Sequence, residues 1–249
     1  MNAKDAEQAV QRPKRFWTAV SFEALPDAGF EIHLDGKAVK TPGGHRLTVP
    51  TEALAELIAG EWEAVEETVD YAEMLMTRLS ASVQDHLSAN RAAVVAELVR
   101  YAGSDALCYF SDAPKALFEK EVEVWVPILE WAEETLGFEF TRTTGVIHTP
   151  QPPQTLKKVE AWLESLSDYE LAGMAQLTPL LGSVILALAV FKGQLSGDGA
   201  FEVSRIGETF QTGIWGEDEE AKARAEALAY DANLLENWFA ALDPTVVHD

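Results

Sequence analysis

The sequence predicts an α+β protein, in which a small N-terminal antiparallel β domain is followed by a larger, all-helical domain. Over residues 16–34, apolar residues alternate with other types, which is the period of a strand with one buried face. After residue 50, apolar residues recur at every third or fourth position, which is the period of a helix. We therefore expect a β domain with one helix at residues 14–72 and a helical domain at residues 73–243.

Turn residues divide the N-terminal region into at least three strands. Alternate residues of segment 30–34 are apolar, and Asp35 and Gly36 follow it directly. An Asp-Gly pair favours a two-residue hairpin turn, because both residues tolerate a positive φ. Clusters of Pro, Gly and Asp predict two further turns, at residues 26–29 and 42–44.

Helical periodicity then continues almost to the C-terminus. The clearest helix runs from Phe118 to Leu136, and Gly137 follows where a left-handed C-terminal cap belongs. Pro127 lies inside this helix and removes one backbone hydrogen bond, so we expect a kink there. The other predicted helices cover residues 51–69, 73–87, 90–102, 155–166, 168–192, 200–215 and 217–241, and residues 141–154 are predicted to form a loop.

Residues 171–191 form an uncharged apolar stretch that is long enough to span a bilayer. Pro179 and Gly182 interrupt it, aromatic anchors are missing from its edges, and no second stretch of this kind occurs. A helix that is buried on all sides of a helical domain gives the same pattern. We therefore expect a core helix and no stable membrane insertion.

The chain is strongly acidic, since 19 Lys and Arg residues against 41 Asp and Glu residues give a formal net charge of −22. Nucleic acids and anionic membranes repel such a surface, so we expect neither as a partner. Two interpretations of the charge stay open: a basic or apolar protein partner, and solubility alone. Cys108 is the only cysteine, and residues 1–16 lack the apolar core of a secretory signal, so we expect a cytoplasmic protein.

Common catalytic and cofactor-binding motifs are absent from the sequence. The five histidines are scattered, with no HExxH motif and no pair at i, i+4, so no metal site is expected. His33 and His45 could approach each other across a hairpin, but the favoured interpretation is that they are surface residues of strands. The sequence has no GxSxG nucleophile elbow and no phosphate-binding glycine loop. We expect a protein that is not an enzyme and holds no cofactor; the alternative is a hydrolase that uses paired carboxylates on an unknown substrate.

Arg78 and Asp105 are charged residues in surroundings that are largely apolar or small. Arg78 lies in the segment MLMTRLSASV, and Asp105 lies in YAGSDALCYF. An unpaired ion in the interior costs several kcal/mol, so a buried charge needs a partner. We predict that the two residues form an ion pair that ties two helices together. The alternative is that each of them faces water.

The stretch from Glu208 to Gly216, ETFQTGIWG, combines a carboxylate, an amide and an indole beside the acidic run at 217–220. Glu208, Gln211 and Trp215 are at positions i, i+3 and i+7, which places them on one face of a helix. Two interpretations stay open. Either this face contacts another macromolecule, or Trp215 is a core residue and Glu208 caps a helix or pairs within the protein.

Six segments, in a fixed order over nearly the whole chain, resemble the Atp12 family, the assembly chaperones of the F1 sector of ATP synthase. The segments are RFWTAVSF, LDGKAVKTPGGHRLTVPTEALAELIAGEW, MTRLSASVQD, YAGSDALCYF, WVPILEWAEETLG and SRIGETFQTGIWGEDEEA. The resemblance implies a β domain followed by a helical domain. It also implies a function without catalysis, in which the protein binds the free F1 α subunit and prevents its aggregation before it joins the β subunits.

The resemblance further implies which residues bind the α subunit. The family has a functionally important acidic residue shortly before a Trp-Gly pair. In this chain, Gly207 stands where a second acidic residue is usual and Ile214 where a basic or polar one is, so a cluster of acids is not implied. We expect the free chaperone to be monomeric. The positions that match the motif are Glu208, Gln211, Trp215 and, before them, Arg205.

Overall fold

The computed structural model describes residues 12–26, 29–215 and 218–243, with the backbone alone for Ile214 and Trp215. Their contacts divide the chain into two compact units, one running to Asp85 and the other beginning at His86. A small antiparallel sheet lies in the first unit, and helices make up most of the second. The predicted α+β class is confirmed. By these contacts the first unit extends beyond residue 72, the limit expected for the β domain.

The first unit is built on a four-stranded antiparallel sheet. Its longest strands pair along their whole length, from Val20 opposite Leu34 to Leu25 opposite Gly29. Two short strands pair with the opposite ends of the second strand, which is therefore central. The strands are β1 (Val20–Leu25), β2 (Gly29–Leu34), β3 (Lys37–Ala38) and β4 (Thr48–Val49).

The hairpin predicted at Asp35 and Gly36 is confirmed. Both residues have a positive φ, 49° and 75°, as a type I′ turn requires. The Asp35 carboxylate accepts hydrogen bonds from the backbone amides of Ala19 at 2.9 Å and Thr18 at 3.0 Å. These bonds stabilise the charged form and lower the pKa of Asp35. Of the turn predicted at residues 26–29, residues 27 and 28 lie outside the described part of the chain.

Helix α1 (Glu52–Ala64) packs on β1 and β2 and buries Leu54, Ile58 and Trp62. The hydroxyl of Thr51 accepts a hydrogen bond from the amide of Leu54 and caps the N-terminus of the helix. These side chains and the apolar face of the sheet form the core of the first unit.

The prediction that this first helix continues to residue 69 is wrong. The chain leaves the helix after Ala64 because the segment that follows pairs with residues near the N-terminus instead. The amide of Arg15 donates to the carbonyl of Glu67, and the amide of Val69 donates to the carbonyl of Pro13, both at 2.8 Å. The guanidinium of Arg15 also binds the carbonyl oxygen of Val65.

Helix α2 (Leu75–Ser82) belongs to the first unit, and helix α3 (Ser88–Ala102) belongs to the second. The segment between them, Val83–Leu87, is a turn of π-helix. The second unit also contains α4 (Lys115–Leu136), α5 (Pro153–Ser165), α6 (Asp168–Leu181), α7 (Val184–Phe191), α8 (Gly197–Ser204), α9 (Ile206–Trp215) and α10 (Glu219–Leu242).

Helix α7 is the centre of the second unit. All of its residues from Val184 to Val190 are buried, and it packs against α3, α4, α6, α8 and α10. A helix surrounded in this way has no polar face, which explains why its sequence looks like a membrane segment. In the described ranges, we find no helix whose length and apolar character would let it cross a bilayer.

The prediction of a single helix at residues 168–192 is wrong, because the chain breaks between α6 and α7. Gly182 has a φ of 67°, which ends α6 with a left-handed residue. The hydroxyl of Ser183 then accepts a hydrogen bond from the amide of Leu186 at 3.0 Å and caps α7.

Helix α4 confirms the clearest helical prediction, with Pro127 inside it and Gly137 (φ 70°) as its left-handed cap. Two short strands on either side of α4 were not predicted. Strands β5 (Tyr109–Phe110) and β6 (Thr143–Thr144) pair in parallel. Two residues are too few to show the alternation by which a strand is recognised in a sequence.

Candidate protein-binding site

The N-terminal end of helix α8 is fixed by a close approach to α10. Ala200 and Phe201 are buried, and a Cβ added to Gly197 would lie 2.5 Å from the carbonyl oxygen of Ala232. Only glycine permits this approach of two backbones. The amide of Gly197 also donates to the carboxylate of Glu236 at 2.6 Å.

Helix α8 is separated from α9 at Arg205, whose φ of −108° and ψ of 14° lie outside the α-helical region. The prediction of a single helix at residues 200–215 is therefore wrong. The indole N–H of Trp125, on α4, donates to the carbonyl oxygen of Val203 at 3.2 Å. This bond satisfies a backbone carbonyl in the last turn of α8. Helix α9 also packs against α4. Helix α4 thus positions the junction.

Glu208 lies in the first turn of α9 and points into solvent, with 61% of its side chain exposed. Its carboxylate forms an ion pair with Arg205, three residues earlier. The Arg205 side chain is only 29% exposed, and its guanidinium lies 5.4 Å from the ring centroid of Phe201. Arg205 is therefore anchored, while Glu208 remains accessible. Glu208 therefore pairs within the protein and is exposed; its contact with another macromolecule stays a prediction.

Gln211 lies one turn further along α9 and is exposed, on the same side of the helix as Glu208. Thr212 and Gly213 are exposed as well. The third residue of the predicted face, Trp215, ends α9, but its side chain lies outside the described part of the structure. So do Gly216 and residue 217. The predicted role of Trp215 therefore stays a prediction.

The surface around Glu208 is larger than the sequence indicates. None of the described residues between Phe201 and Ala232 is fully buried. This range includes α9 and the N-terminal half of α10, where 63% of Tyr230 is exposed. The C-terminal half of α10, in contrast, buries Leu235 and Trp238. We call α9 together with residues 219–230 the uncovered helical surface.

Asp105 and Arg78, the predicted structural ion pair, lie in different units. Asp105 is fully buried. Its carboxylate accepts hydrogen bonds from the hydroxyl of Ser183 at 2.7 Å, the amide of Ile185 at 3.2 Å and the amide of Leu107 at 3.1 Å. Burial raises the pKa of Asp105 to about 6, and these bonds oppose the rise. Asp105 thus caps α7.

Arg78 is exposed on helix α2. Its positive charge acts on the carboxylate of Glu61. That carboxylate accepts hydrogen bonds from the backbone amides of Met76 at 2.7 Å and Thr77 at 2.8 Å, and so caps the N-terminus of α2. Burial raises the pKa of Glu61, and these bonds and the charge of Arg78 oppose the rise. The ion pair between Arg78 and Asp105 stays a prediction. The carboxylates of Asp105 and Glu61 each already have hydrogen-bond partners in their own unit.

The described residues give no support to a carboxylate-based hydrolase. The carboxylates with raised pKa values among them, Glu61 and Asp105, are helix caps in different units. No group of three His, Cys, Asp or Glu residues in the described ranges is placed to hold a metal ion. The prediction that His33 lies on a strand surface is wrong, because the residue is buried and its Nε2 lies 2.8 Å from Oε1 of Glu31.

Comparisons with known proteins agree with one another. The family model described as ATP12 chaperone protein matches residues 14–133. The crystal structure of Atp12 from Paracoccus denitrificans is 38% identical, with a TM-score of 0.87 over 92% of this chain and 98% of that one. The Atu1473 protein from Agrobacterium tumefaciens is 34% identical, with a TM-score of 0.88 over 93% and 87% of the two chains. Mitochondrial atp12 from Schizosaccharomyces pombe is 27% identical over 84% of this chain and 75% of its own length.

Proposed function

This chain belongs to the Atp12 family of chaperones, and on that premise we propose that it is an assembly chaperone of ATP synthase. It binds the free F1 α subunit and prevents its aggregation until the β subunits join it. A subunit that awaits assembly exposes interface surface that is partly apolar and prone to self-association. A protein that binds this surface transiently keeps the subunit available for assembly.

The uncovered helical surface is the observation that carries this proposal. A binding surface must remain accessible to its partner, and α9 with residues 219–230 contains no fully buried residue among those whose side chains the structure describes. Helix α4 contacts α9 and, through Trp125 and Val203, the last turn of α8 that precedes it, so α9 is positioned before the client arrives. The net charge of −22 keeps the chaperone and its complex soluble.

Glu208 places a carboxylate at the first turn of α9 on this surface. The carboxylate is exposed and is held by the anchored guanidinium of Arg205, so its position is set in advance. A basic group on the α subunit can share the carboxylate without a large change in the chaperone. Gln211 adds a hydrogen-bonding amide one turn away, and we propose that Trp215 adds an apolar anchor, as tryptophan often does in interfaces.

Release proceeds by competition in this proposal. The β subunit covers the same surface of α, or binds α more tightly, and the chaperone dissociates. Binding therefore needs to be reversible and requires no nucleotide hydrolysis by the chaperone.

Co-purification with the separate F1 subunits tests the proposal. We expect the tagged chaperone to retain the α subunit when the two are co-expressed and to release it when the β subunit is added. A chaperone that retains β and not α, or neither subunit, would contradict the proposal. Light scattering of α on dilution from denaturant gives an independent readout, and the chaperone should suppress it at a one-to-one ratio.

A further inference from the structure

The loop between β6 and α5 presents two adjacent apolar side chains to solvent. Val146 is 98% exposed and Ile147 is 81% exposed, although both are large and β-branched. Isolated apolar residues are common on protein surfaces, but a neighbouring pair at a loop tip forms a contact site that the fold itself does not use. We call residues 145–149 the apolar loop.

Hydrogen bonds fix the base of the apolar loop. The amide of Gly145 donates to the carbonyl of Phe110 at 2.8 Å, and the hydroxyl of Tyr109 lies 3.1 Å from Nδ1 of His148. Gln151 is buried and links the two ends of the segment. Its side chain accepts a hydrogen bond from the backbone amide of Thr141 at 2.8 Å and donates one to the carbonyl of Thr141 at 3.0 Å. The tip is therefore presented from an ordered base, which lowers the entropy lost on binding.

A shallow apolar cleft continues this surface. Its volume is ≈ 560 Å³, and no acidic residue lines it. His148 and Pro150, next to the loop tip, form part of its wall, and the opposite wall comes from α3 and α5 through Val99 and Leu156. The tip and the cleft together offer an apolar projection beside an apolar recess.

The segment that carries the apolar loop has no acidic residue of its own. Residues 141–158 contain no Asp or Glu, although the whole chain has 41 of them. The cation closest in sequence, Arg142, already faces Glu130 at 3.8 Å and Glu133 at 4.0 Å. The tip is thus apolar and has no acidic residue in its own segment, so it suits a neutral, apolar partner surface.

The apolar loop is connected by packing to the junction of Arg205 and Glu208. The ring of Phe110, whose carbonyl holds the loop, lies 5.6 Å from the ring of Trp125. Trp125 donates to the carbonyl of Val203, two residues before Arg205. One buried side chain on α4 therefore contacts the supports of both exposed elements.

We propose that the apolar loop is a second contact element for the client, and that it inserts Val146 and Ile147 into an apolar, neutral groove of the α subunit. This inference rests on the proposed function. In this proposal, Glu208 makes the polar contacts with the client and the loop makes the apolar ones. A second copy of this chain and an anionic membrane are disfavoured as occupants, because the net charge of −22 repels both.

The double substitution Val146→Ser with Ile147→Ser tests the inference. We expect the Kd for the purified α subunit to rise by about tenfold or more, as the loss of a buried apolar anchor does. The thermal unfolding midpoint should not change, because both side chains are almost fully exposed. Phe16→Ser is the control, since it removes another exposed apolar side chain, in the first unit, and should leave the Kd unchanged.

Unchanged binding of α by the double variant would overturn the role of the loop and leave the proposed function intact. If the unmodified chaperone fails to bind α, the proposed function is wrong and the inference falls with it. Two further measurements address the other occupants, co-sedimentation with phosphatidylserine vesicles and the dependence of oligomeric state on concentration. If the unmodified chaperone binds the vesicles or dimerises, and the double variant does neither, the assignment of the loop to the client is wrong.

Discussion

The indole N–H of Trp125 donates to the carbonyl oxygen of Val203 at 3.2 Å, and this bond links α4 to the last turn of α8. Trp125 is itself buried. The following residues, Ser204 and Arg205, lead out of α8 and into α9, where Glu208 is exposed. Trp125 thus helps to position the point at which α9 follows α8.

We predict that Trp125→Phe lowers the free energy of unfolding by about 1–3 kcal/mol, because it leaves the Val203 carbonyl without its donor. Urea denaturation followed by circular dichroism measures the change. Trp131→Phe, on the same helix at a half-buried position, should have a smaller effect. If the two substitutions lower the free energy of unfolding equally, the hydrogen bond of Trp125 does not account for the loss of stability at that position.

The buried carboxyl of Asp105 should make stability depend on pH. Its pKa is raised from 3.8 to about 6, so between these values the folded protein binds more protons than the unfolded chain. The free energy of unfolding therefore falls as pH rises through this window, by about 3 kcal/mol in total for this group. Well above pH 6 Asp105 is ionised in both the folded and the unfolded protein, so it causes no further change in the free energy of unfolding.

Asp105→Asn removes this titration, so the change in stability between pH 4 and pH 7 should differ between the variant and the unmodified protein by about that amount. Urea denaturation at both values measures it. The other carboxylates titrate in both proteins, which makes the comparison specific for Asp105. Parallel pH profiles would contradict the assignment of a raised pKa to this residue.

Two glycines with open space around them should respond to alanine in opposite directions. Gly182 has a φ of 67° and no heavy atom within 4 Å of an added Cβ, so the penalty is conformational. We expect Gly182→Ala to destabilise the protein by about 1–2 kcal/mol. Gly60 lies inside α1, also with open space, so Gly60→Ala should stabilise it by up to about 1 kcal/mol. A shift of the same sign for both variants, measured by thermal unfolding, would contradict this interpretation.

Periodicity in the sequence was sufficient to predict the fold class and most of the helices, but not the breaks inside the C-terminal half. The break at Gly182 lies in an apolar run in which most residues are buried, although Gln176 and Pro179 are exposed, so no continuous polar face marks where one helix ends. The break at Arg205 occurs in a sequence without Pro, and α4 contacts the chain at that point. A contact from a distant segment marks the break at Arg205, whereas a left-handed glycine and the Ser183 cap mark the break at Gly182.

The candidate site was predictable only in part, for the same reason. Helical spacing places Glu208 and Gln211 on one face, but whether that face looks outward depends on how α9 packs against α4. The exposure of Val146 and Ile147 follows from bonds at the base of their loop, which no local pattern indicates.

The affinity of purified F1 α subunit for Glu208→Lys, measured beside the unmodified chaperone and Glu160→Lys, tests the proposed function most directly. Glu160 is an exposed glutamate on α5, so its substitution makes the same charge change on another helix. We expect Glu208→Lys to weaken binding by about tenfold or more, with Glu160→Lys close to the unmodified protein and all three equally stable to within about 1 kcal/mol. Equal affinities of the three proteins for α would contradict the proposal that this surface binds the subunit.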